Sequence, residues 1–380
     1  MEFNSKLPNV KTTIFTIMSK LAKEHNAINL SQGFPDFDTD PKLIELVSNA
    51  MKDGYNQYAP MQGVFALREQ VSEKFNNLYQ STYHPDTEIT ITSGATQAIF
   101  TIVSAFIHKD DEVIMFKPAY DCYEPAIDLH EGKPVYVQLE APNFRINWNK
   151  VKQLINTKTK MIIINSPHNP SGTIWSKDDM LTLENIVKDT DIIVLSDEVY
   201  EHIIFDGKPH QSLCLFPYLK ERSFIVASFG KTFHNTGWKI GYCVAPKALM
   251  HEFRKVHQFN VFCVNHPMQI AFAEYLKNEN NYLSLNNFYQ EKRDFFLNGI
   301  KNSRFKFIPS QGTYFQLLGY SAITDENDIE FAKRLVVEHQ IATIPISVFN
   351  TEELDQKMLR FCFAKKEETL QKAIEILCEI

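Results

Sequence analysis

The sequence predicts an α/β fold: a large domain on a mainly parallel seven-stranded sheet, followed by a smaller α+β domain. Three observations carry this. From residue 88 onward, short apolar runs of strand length alternate with longer stretches of helical periodicity, the pattern of a sheet with crossover helices on both faces. Beyond residue 290 the rhythm changes to strand, strand, helix, strand, strand, helix. A chain of 380 residues with 44% hydrophobic and 22% charged residues has the composition of an ordinary globular protein with a substantial core.

Taken in order, Ile14 to Ala22 is amphipathic and Ile28-Asn29-Leu30 extended. Ser31 to Asp40 is a turn-rich loop, and Pro41 opens a helix to about Met51, since proline suits the first helical turn. Gly54 to Gly63 is an aromatic loop between helices. The expected strands of the large sheet are Ile89–Thr92, Val113–Phe116, Val135–Val137, Met161–Ile164, Ile192–Leu195, Phe224–Ala227 and Ile240–Val244. Between them, Ile99, Ile102, Val103 and Phe106 fall on one helical face. The last helix sets Leu370, Ala373, Ile374 and Leu377 on one face. The domain boundary is expected inside a helix near residue 290, with 41–290 as the large domain and 1–40 plus 291–380 as the small one.

The net charge is −7, from 39 basic and 46 acidic residues with no basic block, which argues against nucleic acid or an anionic membrane as partner. The six cysteines are scattered without a C-x-x-C pair, so neither a disulfide framework nor a zinc site is implied. Residues 1–13 lack the apolar core of a signal peptide, and no apolar run reaches the ~18 residues of a membrane span. A soluble, cytoplasmic protein is expected.

Ligands of open α/β sheets bind beyond the carboxyl ends of the strands, so the residues following each strand carry the functional reading. After Phe224–Ala227 comes SFGKTFHNTGWKIGY, Ser228 to Tyr242. Gly230 permits a tight turn and close approach directly before Lys231. A lysine in those apolar surroundings loses proton affinity and becomes a usable nucleophile for imine chemistry. Ser228 and Lys239 offer a hydroxyl and a cation to a phosphate. After Ile89–Thr92, Ser93-Gly94-Ala95-Thr96 opens a helix whose free N–H groups suit the same anion. Tyr120, after Val113–Phe116, could lie over a flat ring. In the run Asn165 to Gly172, NSPHNPSG, proline steps leave Asn169 with an amide to aim, and His168 has no carboxylate neighbour and is read as structural. After Ile192–Leu195 come Asp197 and Tyr200; a carboxylate at a buried strand end is costly unless paired, and a cationic ring nitrogen is one such partner. Singly, each position has an ordinary structural explanation. Together they supply an amine, a carboxylate, hydroxyl and amide donors, a stacking ring and a phosphate anchor, the parts needed to hold pyridoxal 5′-phosphate.

At these residues the chain resembles, over essentially its whole length, the class I/II aminotransferases of the aspartate-aminotransferase fold (fold type I). It is most similar to the bacterial methionine aminotransferases and to the kynurenine aminotransferase and glutamine transaminase K group. The motifs are SQGFPDF from Ser31, NQYAPMQGVFALRE, PHNPSG, SDEVYEH, SFGKTFHNTGWKIGY, SQGTYF and LRFCFAKKE. The resemblance implies Lys231 as the lysine joined to the cofactor as an imine and Asp197 as partner of its ring nitrogen. It implies Asn169 and Tyr200 at the 3′-oxygen and Tyr120 stacked on the ring. Gly94, Ala95, Thr96, Ser228 and Lys239 would hold the phosphate; many relatives have arginine where Lys239 stands, so the contact here is a point charge, not a fork. Tyr58 would reach the phosphate of the partner subunit of a homodimer. Arg360 would clamp the substrate carboxylate, assisted by Gly33 and Asn169. Phe15, Phe34, Thr96 and Tyr314 would line the side-chain pocket, with Phe262 and Asn265 in the stretch lent by the partner.

The implied reaction is a ping-pong transamination in which a neutral amino acid of the methionine, aromatic, glutamine or kynurenine type passes its amino group to a 2-oxo acid. Lys231 would move the Cα proton. Two other functions stay open on the residues: β-elimination from cysteine S-conjugates by the same chemistry, and a non-catalytic cofactor-binding regulator. A spectral change on adding any amino acid would argue against the regulator.

Overall fold

The computed structural model describes residues 4–380; Met1 to Phe3, part of the expected 1–40 segment, lie outside the described residues. Helix α1 (Ile14–Glu24) starts where Thr13 accepts a hydrogen bond from the Thr16 amide, and it buries Met18 and Ala22. The short strand β1 (Ile28–Asn29) follows. Helix α2 (Pro41–Lys52) has Pro41 in its first turn and Asp40 as its cap, which accepts from the Lys42 amide and from the Tyr275 hydroxyl. Helix α3 runs Phe65–Tyr79.

The large sheet comprises β2 (Ile89–Thr92), β3 (Glu112–Lys117), β4 (Lys133–Gln138), β5 (Thr159–Asn165), β6 (Ile193–Asp197), β7 (Ser223–Ser228) and β8 (Gly241–Val244). Its order is β2-β8-β7-β6-β5-β3-β4, with β8 antiparallel to both neighbours and all other pairs parallel. The expected strands all form, each within a residue or two of its predicted ends. Successive residues face two different cores. Ile114, Phe116, Ile162, Ile164, Val194 and Ile225 join one. Val113, Met115, Met161, Ile163, Leu195, Phe224 and Val226 join the other, with Ile99, Ile102 and Val103 of helix α4 (Gly94–Phe106). A sheet covered on both faces gives continuous apolar runs, which is why these strands read clearly.

Beyond helix Leu285–Ile300 come β9 (Phe315–Gly319), helix Asp328–His339, the two-residue strands β10 (Ile341–Ala342) and β11 (Ile344–Pro345), β12 (Met358–Cys362) and the final helix Glu367–Glu379. The sheet order is β11-β12-β9, antiparallel throughout. The expected rhythm is corrected at two points: three short strands, β10, β11 and β12, stand between the helices where two were expected, and the opening strand is all but lost. The first strand of this part is reduced to a single bridge between Lys306 and Gly319. Pro309 has no N–H for a ladder, and the amides of Gln311 and Gly312 turn away to the Gly172 carbonyl.

Strand β1 pairs in parallel with β10, Ile28 opposite Ile341, so the N-terminal segment joins the C-terminal part. We propose from this that 41–290 forms the large domain and that 1–40 and 291–380 form the small one, the boundary falling in helix Leu285–Ile300. Among the described residues no helix is long and apolar enough to cross a membrane.

Candidate active site

The carboxyl ends of β2, β5, β6 and β7 open on one cavity of about 260 Å³, closed from the other side by Gln32 to Phe34, Phe315 and Arg360. Strand β7 ends at Ser228 and a single helical turn, Phe229–Thr232, presents Lys231. Gly230 lets the chain pack closely here, since an added Cβ would stand a tight 3.0 Å from the Thr236 Cα and 3.3 Å from the Asn235 carbonyl. The Lys231 ammonium donates to the Gly33 carbonyl at 3.1 Å. Removal from water lowers its pKa to about 8.

Asp197 closes β6 and is almost wholly buried. The Tyr123 hydroxyl donates to its Oδ2 at 2.5 Å and the Val199 amide to its Oδ1 at 3.3 Å. Burial raises its pKa to about 6 even against those two donors. The carboxylate therefore sits where a cationic partner gains most. Tyr123 was not among the expected site residues; it opens the helix Tyr123–Leu129 and reaches Asp197 from 74 positions away.

At the end of β2, Gly94 has φ of +75° and begins α4. A Cβ there would lie 3.4 Å from Lys239 Cε and Nζ. Ala95, Thr96, Ser228, Thr236 and Lys239 line the cavity beside it. Free amides at the start of a helix, three hydroxyl side chains and a cation line this part of the cavity, a donor set that suits a phosphate.

Arg360 lies on β12, opposite Leu317 of β9, with 1% of its surface exposed. Its Nη1 donates to Asn169 Oδ1 at 2.8 Å and its Nη2 to the Ser31 carbonyl at 2.9 Å. The guanidinium lies 3.9 Å from the Phe315 ring centre, and its Nε has no partner. A buried guanidinium with an unmet donor, on the wall of a cavity, is a built anion site. Asn169 is fixed in turn by its own amide, which donates to Asn165 Oδ1 at 2.8 Å. Ser31 and Asn165 were missed because one acts through a backbone carbonyl and the other, though on the cavity wall, spends its side-chain oxygen on the Asn169 amide.

Phe15, Phe34, Thr96, Tyr120 and Tyr200 line the cavity as expected. Tyr314 is placed otherwise than expected, while Tyr58, Phe262 and Asn265, expected to serve the site of a partner subunit, stand off their own cavity. Tyr314 is fully buried and off the cavity wall; its hydroxyl donates to the Gly33 carbonyl at 2.6 Å, and Phe315 takes its place on the wall. Its effect on a ligand is through the Gly33 loop. Tyr58 is 78% exposed, away from its own cavity, with its ring 5.1 Å from that of Phe262. Phe262 is also exposed on that surface. Asn265 caps helix His266–Tyr275 by accepting from the Met268 amide. His168 is structural as read: buried, bonded to Ser171 and the Pro118 carbonyl, and pushed down to about 4 by burial.

Residues 25–377 match the family model for aminotransferase class I and II. The chain is 48% identical over 377 residues to the methionine aminotransferase of Escherichia coli K12, covering 99% of this chain and 98% of that one. It is 31% identical to human kynurenine–oxoglutarate transaminase 3, covering 98% and 89%. Among solved structures, an Escherichia coli protein with methionine aminotransferase function superposes with a TM-score of 0.98 at 47% identity, over 100% of both chains.

Proposed function

The chain belongs to the class I and II aminotransferases, enzymes that carry amino groups on pyridoxal 5′-phosphate, and from that premise we propose that its amino donor is a neutral L-amino acid, methionine or an aromatic one first. The observation that carries the preference is the wall of the cavity. Its cations are Lys231, Lys239 and Arg360; the first serves the reaction, the second stands at the Gly94 phosphate cradle and the third takes the α-carboxylate. None remains for a second carboxylate. Toward the side chain stand Phe15, Phe34, Ile99 and Phe315. An unpaired carboxylate there would be heavily penalised, whereas each buried methylene contributes only ~0.8 kcal/mol, so several apolar donors should overlap. The similarity to human kynurenine–oxoglutarate transaminase 3 extends the expected donors to kynurenine-type side chains.

The residues fit the cofactor by their chemistry. The buried Asp197 would hold the ring nitrogen in its protonated form. Asn169 and Tyr200 would meet the 3′-oxygen, and Tyr120 the ring face. Gly94, Ala95, Thr96, Ser228 and Lys239 would hold the phosphate. When bound, the cofactor supplies the electron sink that makes a substrate Cα–H acidic. Lys231 Nζ, poised near pKa 8, would take that proton from Cα and carry it to the cofactor side instead of giving it back to Cα. Arg360, aimed by the Asn169 side chain and the Ser31 carbonyl, fixes the substrate carboxylate and so the direction of the Cα–H bond.

A panel of amino acids against several oxo-acid acceptors tests the donor class. Methionine or an aromatic donor is expected to give the highest kcat/KM and aspartate a low one. Aspartate outperforming methionine would overturn the pocket reading.

We also read the functional unit as a homodimer in a reducing, cytoplasmic setting that suits six free cysteines. Support comes from Tyr58, Phe259 and Phe262, exposed by 78%, 86% and 51% on one aromatic surface. If Tyr58 serves the partner's site, Tyr58→Ala and Lys231→Ala chains refolded together should regain about a quarter of parental activity, because half the random dimers hold one complete site. No regained activity in a mixture shown by sedimentation to contain dimers would place Tyr58 in its own site or in none.

A further inference from the structure

Directly after Asp197, which closes β6, the chain carries Tyr200 to the bridge residue Ile204 through a segment with no regular structure. Its backbone is anchored at the ends, the Glu198 amide donating to the Val226 carbonyl of β7 and the Ile203 carbonyl accepting from the Thr313 amide; between them it bonds only to itself, the Glu201 amide to the Glu198 carbonyl and the Ile203 amide to the Tyr200 carbonyl. The side chains alternate in function. Asp197 and Tyr200 face the cavity, and each is followed immediately by a carboxylate that points away from it into a buried polar cluster. Glu198 accepts from Ser196 Oγ at 2.9 Å, from the Leu213 amide at 3.1 Å, and pairs with His210 Nε2 at 2.8 Å. Glu201 accepts from Lys74 Nζ at 2.5 Å, from the Tyr242 hydroxyl at 2.7 Å and from the Tyr79 hydroxyl at 2.9 Å. Lys74 also meets the Tyr242 hydroxyl at 2.6 Å, and the Lys74 and Glu201 side chains are each 4% exposed.

We infer that Lys74, acting through Glu201 and the Tyr79 and Tyr242 hydroxyls, is a positioning residue that sets the place of the Tyr200 phenol in the active site. Lys74 and Tyr79 belong to α3, and Tyr242 to β8, so the segment is gripped from two rigid elements. A buried ion pair is a poor source of stability, since an apolar pair of the same volume avoids the desolvation of two charges. What the ion pair adds is direction: a carboxylate with both oxygens bonded to fixed donors cannot rotate, and the residue before it on the chain is held accordingly. Burial alone would raise the Glu201 carboxyl, but the Lys74 charge and the bonds from Lys74 and Tyr242 hold it below the usual range. His202, 3.7 Å from Glu201, is pushed down to about 3 by burial and stays neutral.

The inference rests on the proposed contact of Tyr200 with the cofactor, and its test separates the two. The readout is the pH midpoint of the visible absorption change in cofactor-loaded protein, measured beside the thermal midpoint. Tyr200→Phe is the reference and should shift the absorption midpoint. Lys74→Met alone strands a buried carboxylate and should lower the thermal midpoint. Lys74→Met with Glu201→Gln removes the charge pair; it should recover most of the thermal midpoint yet move the absorption midpoint in the same direction as Tyr200→Phe, by about half a pH unit or more. Tyr79→Phe and Tyr242→Phe each delete one hydrogen bond to Glu201 and should give smaller shifts of the same sign; they decide the matter if the double variant does not fold. A shift in Tyr200→Phe without one in the folded cluster variants overturns the positioning role. No shift in Tyr200→Phe overturns the Tyr200 reading, and the inference with it.

Discussion

Lys231→Ala is expected to abolish the visible absorption of the loaded enzyme and to lower turnover by about 10⁴-fold, the upper range for losing a positioned general base. No second amine can substitute. Lys239 lies against Gly94 on the phosphate side, and the remaining cation of the wall, Arg360, is committed to Asn169 and Ser31. The same residue gives a pH signature in cofactor-free protein. Reaction of the Lys231 amine with an amine-directed reagent should be half-maximal near pH 8, where an ordinary lysine requires about 10.4. The sign for stability follows by linkage. Between those values the unfolded chain holds the proton and the folded chain does not, so this group's contribution to stability rises with pH across that window, and the alanine variant lacks the rise. An unchanged absorption band in Lys231→Ala would remove the residue from its role.

Asp197→Asn is expected to retain the cofactor but lose turnover by about 10²–10³-fold, the loss typical of removing one preorganised electrostatic partner from a reacting centre. The amide preserves shape and can still meet Tyr123, yet it cannot balance a positive ring nitrogen. Burial lifts the Asp197 pKa to about 6 in the protein without cofactor. Below that pH the carboxyl is protonated, so cofactor affinity should weaken as pH falls through 6, and the asparagine variant should be flat there. For the cofactor-free fold the sign is opposite to the usual carboxylate: from pH 4 to 6 the folded state holds more protons than the unfolded chain, so stability from this group declines as pH rises. Cofactor content by absorbance and single-turnover rates with methionine check both halves. Near-normal turnover would take Asp197 out of the role.

The sheet was legible because burial on both faces leaves runs such as Met161 to Ile164 without a polar residue. Lys231, Asp197 and Asn169 were legible because they follow such runs directly, where an α/β sheet presents its ligands. The parts that escaped act without a side-chain signature of their own. The Ser31 carbonyl is backbone, and Gly33, named only through the resemblance, works by a backbone carbonyl that receives both Lys231 and Tyr314. Tyr314 sits one residue before β9, and which way its ring turns depends on where that strand starts. Lys74 reads in sequence as a solvated helix lysine; only the arrival of Glu201, 127 positions later, makes it buried.

The pairing of β1 with β10 has a consequence for the newly made chain. The Ser31 carbonyl waits for Arg360 across 329 positions, and Ile28 for Ile341, while the large sheet is complete once β8 has paired with β2 and β7, before the last strands emerge. Contacts of such separation are slow to form and reward the chain only at the end. During synthesis the phosphate cradle and the reactive lysine can therefore exist before the carboxylate clamp does. The N-terminal segment stays an unsatisfied edge until the last strands emerge, the interval in which a nascent chain of this design most needs protection from its neighbours.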